Sequence, residues 1–335
     1  MILLDISERQ VQKNNNGVKV VTLPANEYGL EHDKRSLIYI SILWLVSFLA
    51  MVTNVTRALF VKVKKWKTPI RQILWQMGRD HDHFSSFAVD WFSKFNHQAK
   101  CGAASWRALD LFYNYYSKIK PQLDGNLESK LTRYWIEKME NRQAVTNRLK
   151  VLTILLKNAF AKFGSEPEVR LFSVASGSAQ AVVDAILGSS QNVKVLLLDI
   201  DATAIEEAKS LVAKYGLEEK FSFICGTVKK IEDVCHNFRP HVVEMVGFLD
   251  YRPEEKAVTL VAKIKKCLPD GGILITCNIK KNREKPFLDW VLLWSMDYKD
   301  EFDLARIFNK GGFLPEKTEI LFEPFGIHGI CICQS

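Results

Sequence analysis

From Val169 onward the chain alternates short, nearly uninterrupted apolar runs with amphipathic stretches. The runs are "VRLFSVA", "VKVLLLD", "KFSFIC", "HVVEMVG" and "GGILITCNI"; between them lie "SAQAVVDAIL", "ATAIEEAKSLVAKYG", a shorter stretch around "VKKIEDVC", and "PEEKAVTLVAKIKKCL". A strand that is apolar at successive positions buries both of its faces, and a parallel sheet covered by helices on each side is the arrangement that does this. Gly216 closes one predicted helix and Pro253 opens another, at the positions where each residue is tolerated best. The pattern predicts an α/β protein with a doubly wound sheet of five parallel strands. Two further strands, "TEILFE" and "IHGICICQ", predict a C-terminal antiparallel hairpin on the same sheet.

Ligands of such sheets bind at the carboxyl ends of the strands, where the strand order reverses. The predicted ends carry Ser173 to Gly177, then Asp199, then Gly226 and Thr227, then Gly247 to Tyr251, and Asn278. Asp199 stands 22 residues after Gly177, close to the offset of about 20 at which an acid can accept ribose hydroxyls of a nucleoside cofactor. Asp201 is better placed than Asp199 to cap the helix that begins at Ala202.

These residues resemble the class I S-adenosylmethionine-dependent methyltransferases, a Rossmann-like family. "VASGSAQ" occupies the glycine-loop place, "DIDATAIEEAK" the ribose-acid place, and "LPDGGILIT" runs into the fifth strand. The likeness extends from about Asn141 to the C-terminus. "NRQAVTNRLK", "VGFLDYRPEEKAVTLVAKIKKCLPDGG" and "FLDWVLLWSMDYKDEFDLARIF" are similar to a bacterial subgroup that includes enzymes forming methyl esters of 3-hydroxy fatty acids. The resemblance implies S-adenosylmethionine as cofactor, held by Ser173, Ala175, Ser176, Gly177, Asp199, Ile200, Thr227 and Gly247. It implies chemistry near Asp250 and Tyr251, and an acceptor met by Asn278 and by Trp290, Trp294 and Tyr298, which are spaced about a helical turn apart. The sequence departs from the family's acid-x-Gly-x-Gly-x-Gly loop: Ser173, Ala175, Gly177 and Ala179 stand in those places, and Thr227 replaces the usual adenine-side acid. The alanines permit close approach of the backbone if neither needs a positive φ, and Gly177 keeps the one position expected to need it.

Between Arg35 and Arg57 lie 21 uncharged residues, "SLIYISILWLVSFLAMVTNVT", long enough to cross a bilayer as a helix. Arg57, Lys62, Lys64, Lys65, Lys67 and Arg71 follow with no acid among them, and account for much of the net charge of +8. Interleaved with Phe60, Trp66 and Trp75, they predict a lipid surface rather than a nucleic acid as partner. The expected organisation is an N-terminal segment 1–35 outside, a transmembrane helix 36–56, a basic juxtamembrane segment 57–79, a helical cap 80–163, and a catalytic domain 164–335 facing the cytoplasm; the alternatives for 36–56 are a helix lying in the membrane interface or a buried core helix. "HDH" at His81 to His83 lacks a third ligand spaced to join it, so no metal site is expected. The seven cysteines read as reduced thiols serving as small hydrophobes, not as a disulfide framework.

A dehydrogenase on the same sheet is disfavoured by the absence of G-x-G-x-x-G. The rival from another class is a catalytically silent, membrane-tethered binding protein with a methyltransferase fold, which the eroded loop would permit. The favoured acceptor is amphiphilic, a fatty acyl carboxylate or hydroxyl. The oligomeric state has no signature in the sequence.

Overall fold

The computed structural model describes residues 11–13 and 17–335. Residues 1–10 and 14–16, within the expected N-terminal segment, lie outside the described residues. The chain divides into two compact units, one of residues 1–30, 147–280 and 297–335, the other of residues 31–146 and 281–296.

The first unit is built on one sheet. Among the described residues its strands are β1 (Val11–Lys13), β2 (Lys19–Thr22), β3 (Val169–Val174), β4 (Val193–Asp199), β5 (Phe221–Cys225), β6 (Val242–Met245), β7 (Ile273–Ile279), β8 (Thr318–Phe322) and β9 (His328–Gln334). Their order is β1-β2-β8-β9-β7-β6-β3-β4-β5. Strands β3 to β7 run parallel, and β9 is antiparallel to both β7 and β8. The expected five parallel strands and terminal hairpin are therefore present.

Alternation along each strand sorts side chains to two faces. Val169, Leu171, Ile273, Ile275, Ile330 and Ile332 pack with α7 (Gln180–Leu187), α8 (Ala202–Lys214) and the later turns of α6 (Glu140–Lys162). Phe172, Val174, Leu274, Cys331 and Cys333 pack on the other face with α9 (Ile231–Phe238), α10 (Glu254–Cys267) and α12 (Glu301–Lys310). Cys277, Cys331 and Cys333 are buried thiols, as small hydrophobes should be, and Cys225 is exposed. Against the all-thiol expectation, Cys235 of α9 and Cys267 of α10 form a disulfide. Neighbouring helices on one face bring together two cysteines 32 residues apart.

The second unit is helical: α1 (Leu37–Lys64), α2 (Ile70–Arg79), α3 (Lys94–Cys101), α4 (Trp106–Tyr113), α5 (Leu127–Thr132), the first turns of α6, and α11 (Lys285–Trp290). Ser36 caps α1 by accepting a hydrogen bond from the Tyr39 N–H. Tyr39, Leu43, Ser47, Ala50, Asn54 and Ala58 are buried along one side of it, three or four residues apart. Asn54 donates to the carbonyls of Ser85 (3.0 Å) and Trp290 (3.1 Å). By length and composition α1 is apolar enough to cross a membrane.

Two expectations about this region are corrected. The helix does not end at residue 56 but continues to Lys64, so Arg57, Lys62 and Lys64 belong to the same rod as the apolar run. A single crossing by α1 would leave β2 and β8 on opposite sides of the bilayer, yet β2 is hydrogen-bonded to β8 in parallel, with Lys19 opposite Glu319 and Val21 opposite Leu321. Residues 19–22 thus extend the sheet rather than standing outside, and Val21 and Leu23 are buried in its core.

Candidate active site

Strand order reverses between β3 and β6, and the site is built at the carboxyl ends around that point. After β3 the chain turns through Ala175, Gly177 and Ala179 at φ values of 54°, 55° and 57°. The expectation that only Gly177 needs the left-handed region is corrected: both alanines occupy it, where a side chain costs roughly 1–2 kcal/mol. Hydrogen bonds hold the loop in this form. The Ser176 N–H donates to the carbonyl of Leu198 (3.2 Å), and the Gly177 N–H to Oδ2 of Asp199 (2.8 Å).

Asp199 ties the ends of β3 and β4 together. Its Oδ1 accepts from the Asp201 N–H (2.9 Å), and Asp201 in turn caps α8 through the Thr203 N–H (2.9 Å), as its position predicts. A carboxylate has about four lone-pair directions, so Asp199 can take further donors. The buried Ser176 Oγ in the same loop makes no hydrogen bond to the described residues. Ile200 is 71% exposed beside Asp199, an apolar surface next to two polar acceptors. The Gly226 N–H donates to the Asp199 carbonyl (2.8 Å), placing the β5 end at the same spot. Exposed Thr227 accepts from the Lys229 N–H (3.3 Å) and so caps a short turn. Gly247 has a φ of 80° with open space where a side chain would stand.

Ser173 is fully buried and its hydroxyl donates to Glu244 on the adjacent strand, so it is a support rather than a surface for a ligand. The register pairs these two residues. Glu244, which sequence reasoning missed, puts a carboxylate beside the place where the family pattern has its first acid. Burial pushes the Glu244 carboxyl up to about 7, opposed by the Ser173 hydroxyl, the Val246 N–H and Arg148. The signal was available, since an acid inside "HVVEMVG" is unusual for a buried strand.

Asp250 follows β6. It is buried, and its Oδ1 accepts from the Ile279 N–H at the end of β7 (2.7 Å). Burial raises its pKa, with Arg148 pulling the other way. Arg148 is the shared cation of this region, acting on Glu244, Asp250, Cys277 and His328. It lies within the quoted "NRQAVTNRLK" but had no assigned role. Tyr251 completes the same turn and is partly exposed.

Asn278 does not stand ready for an acceptor. Its amide donates to the carbonyls of Ile279 (2.9 Å) and Asp297 (3.1 Å), and its oxygen accepts from Lys299 (3.3 Å). Lys299, also missed, further bonds the Leu249 carbonyl (3.0 Å), so the pair anchors the turn that carries Asp250. The aromatic stripe is corrected as well. The helix ends at Trp290, Leu293 turns with a φ of 49°, and Trp290, Trp294 and Tyr298 share no helical face. Trp294 is buried and stacks on Phe112 with centroids 6.2 Å apart, a core contact of the second unit, whereas Tyr298 belongs to the first.

Comparison with known proteins agrees with this architecture. No curated protein sequence matches the chain significantly. Among solved structures, a possible exported protein from Bordetella parapertussis is similar with a TM-score of 0.59 at 13% identity, covering 86% of this chain and 96% of that one. An O-methyltransferase family protein from Burkholderia thailandensis gives a TM-score of 0.48 at 13% identity over 84% of this chain and 71% of that one. Human N-acetylserotonin methyltransferase in complex with SAM gives 0.41 at 11% identity over 71% and 67%. At these identities the likeness is one of fold. Residues 56–333 match the model of a family described as "Putative methyltransferase", and with most of its length so matched the chain belongs to that methyltransferase family.

Proposed function

We propose that the protein is an S-adenosylmethionine-dependent methyltransferase that works at a membrane surface on an amphiphilic acceptor, a fatty acyl carboxylate or hydroxyl. The cofactor reading is supported by the fit of the residues at the β3 and β4 ends. Asp199 has acceptor capacity left for ribose hydroxyls, Ser176 Oγ is buried without a partner among the described residues, and Ile200 offers an apolar face beside them. Bound there, S-adenosylmethionine supplies a sulfonium methyl group for in-line transfer. The chain's own task is then mainly orientation, which can supply about 7–11 kcal/mol of the barrier. Asp250 and Tyr251, on the turn after β6, are the assigned groups on the acceptor side. An acyl carboxylate is already a nucleophile and needs no base. For a hydroxyl, the raised pKa of buried Asp250 makes it a stronger base than a free carboxylate.

The observation that carries the membrane and acceptor reading is the outer side of α1. Trp44, Leu45, Phe48, Leu49, Val52, Phe60 and Val63 are exposed there, between 47% and 81%. Lys62, Lys64, Lys65 and Lys67 cluster at the helix's C-terminal end. An exposed apolar face of this size is a docking surface, and adjacent cations fit an anionic leaflet such as the cytoplasmic one. Lying in the interface, α1 keeps β2 and the catalytic sheet on one side. The likeness to the subgroup that forms fatty acid methyl esters points to the same acceptor class.

The test is the methylation rate over a series of acceptors with one head group and increasing chain length. Each buried methylene contributes about 0.8 kcal/mol, so kcat/KM is expected to rise about fourfold per methylene until the acceptor site is filled. A flat series, or faster turnover of a water-soluble amine, would overturn the lipid reading and leave the methyltransferase intact.

A further inference from the structure

The helical unit gathers a set of metal-ligating atoms that the catalytic site does not use. His97 and Cys101 are four residues apart on α3, hence on one face. Cys101 Sγ lies 3.6 Å from His97 Nε2. His81, on the preceding loop, brings a ring nitrogen to the same place, and the three ligand atoms lie within 4.8 Å of one another. The expectation that "HDH" has no third ligand is thereby corrected: His81 meets two ligands from a helix that begins thirteen residues on, a juxtaposition only tertiary folding creates. His83 lies outside this group of ligand atoms; its Nε2 bonds Asn54 Oδ1 (2.9 Å).

We propose that His81, His97 and Cys101 bind a divalent zinc ion, with the fourth position open to water on the exposed His81 side. Zinc bonds of about 2.0–2.1 Å to nitrogen and about 2.3 Å to sulfur put tetrahedral N and S ligands about 3.6 Å apart, the separation that His97 Nε2 and Cys101 Sγ already have. The outer contacts fit as well. Metal-bound histidines direct their other ring nitrogen to a carboxylate or carbonyl. His97 Nδ1 is buried, makes no hydrogen bond to the described residues, and lies 3.9 Å from Oδ2 of Asp90; His97 Nε2 bonds the His81 carbonyl (2.9 Å), a contact that the ion displaces on binding. Asp90 is itself fixed by the N–H groups of Ser85 and Ser86, both at 2.7 Å. Phe84 stacks on the His97 ring with centroids 4.6 Å apart, holding its plane. The neighbouring Lys100 donates to the carbonyls of Asp80 and His83. On binding, the Cys101 thiol gives up its proton to solvent and ligates as the thiolate.

Cobalt(II) titration of the full chain tests this. The expected result is one ion per chain, with visible bands of tetrahedral intensity, a near-ultraviolet thiolate-to-cobalt band, and reversal of both by zinc. Cys101→Ser should abolish the thiolate band, His81→Ala should lose zinc on gel filtration, and His83→Ala should behave as wild type. His81 is exposed, so its variant reports ligation without disturbing the core. A thiolate band that persists in Cys101→Ser, which exposed Cys225 could supply, would overturn the assignment. So would absence of the band in wild type, or zinc retained by His81→Ala.

Discussion

Replacing Asp199 by alanine should weaken S-adenosylmethionine binding roughly a hundredfold or more, because hydrogen bonds to a charged group contribute about 1.5–3 kcal/mol each and two ribose hydroxyls are expected to share it. The carboxylate also holds the Gly177 and Asp201 N–H groups, so the loop between β3 and α7 loses its anchor in the same variant. Asp201→Ala is the control, since the Asp201 N–H still donates to Asp199 in it. It removes the α8 cap, worth about 1 kcal/mol of stability, and should leave cofactor affinity unchanged. Calorimetric titration of both variants measures this. Equal affinity in Asp199→Ala and wild type would remove Asp199 from the cofactor site.

Arg148→Met should destabilise the fold by about 3–5 kcal/mol at pH 8, the usual consequence of leaving buried charge without its partner. The loss should shrink at pH 5. Glu244 explains the direction: its folded pKa of about 7 lies above the 4.5 of an ordinary glutamate. A raised carboxyl pKa stabilises the fold fully below about 4.5, and that contribution disappears as pH rises through about 7. At pH 5 the folded protein holds Glu244 mostly neutral and needs Arg148 less. Urea unfolding at both pH values, with Glu244→Gln as reference, reads the difference. An equal loss at pH 5 and pH 8 would make Arg148 a packing residue only.

The sheet was legible because each of its central strands is apolar on both faces, a pattern few other folds permit. Asp199 was legible because the end of such a strand is a fixed address. What escaped depended on partners distant in sequence. Strand β2 is four residues, "KVVT", whose partner lies near residue 320, and nothing local marks it as part of the sheet. The extent of α1 was hidden by a charge rule that ends an apolar run at Arg57, although arginine continues a helix as well as leucine does. Asn278 stands at a strand end, as a ligand residue would, but position alone does not reveal that Lys299 and two carbonyls already engage its amide. The left-handed φ of Ala175 and Ala179 contradicts their own preference. Hydrogen bonds from Ser176 and Gly177 to the end of β4 hold it, contacts distant in sequence, which is why residue preference misread this loop.

Incubating the full chain with methyl-labelled S-adenosylmethionine and a total membrane lipid extract, then partitioning the products, asks most directly whether the site and the α1 surface serve one reaction. Label should pass into the organic phase with wild-type protein and fail to do so with Asp199→Ala. Cofactor binding without label in any fraction would contradict catalysis, and label confined to the aqueous phase would contradict a lipid acceptor.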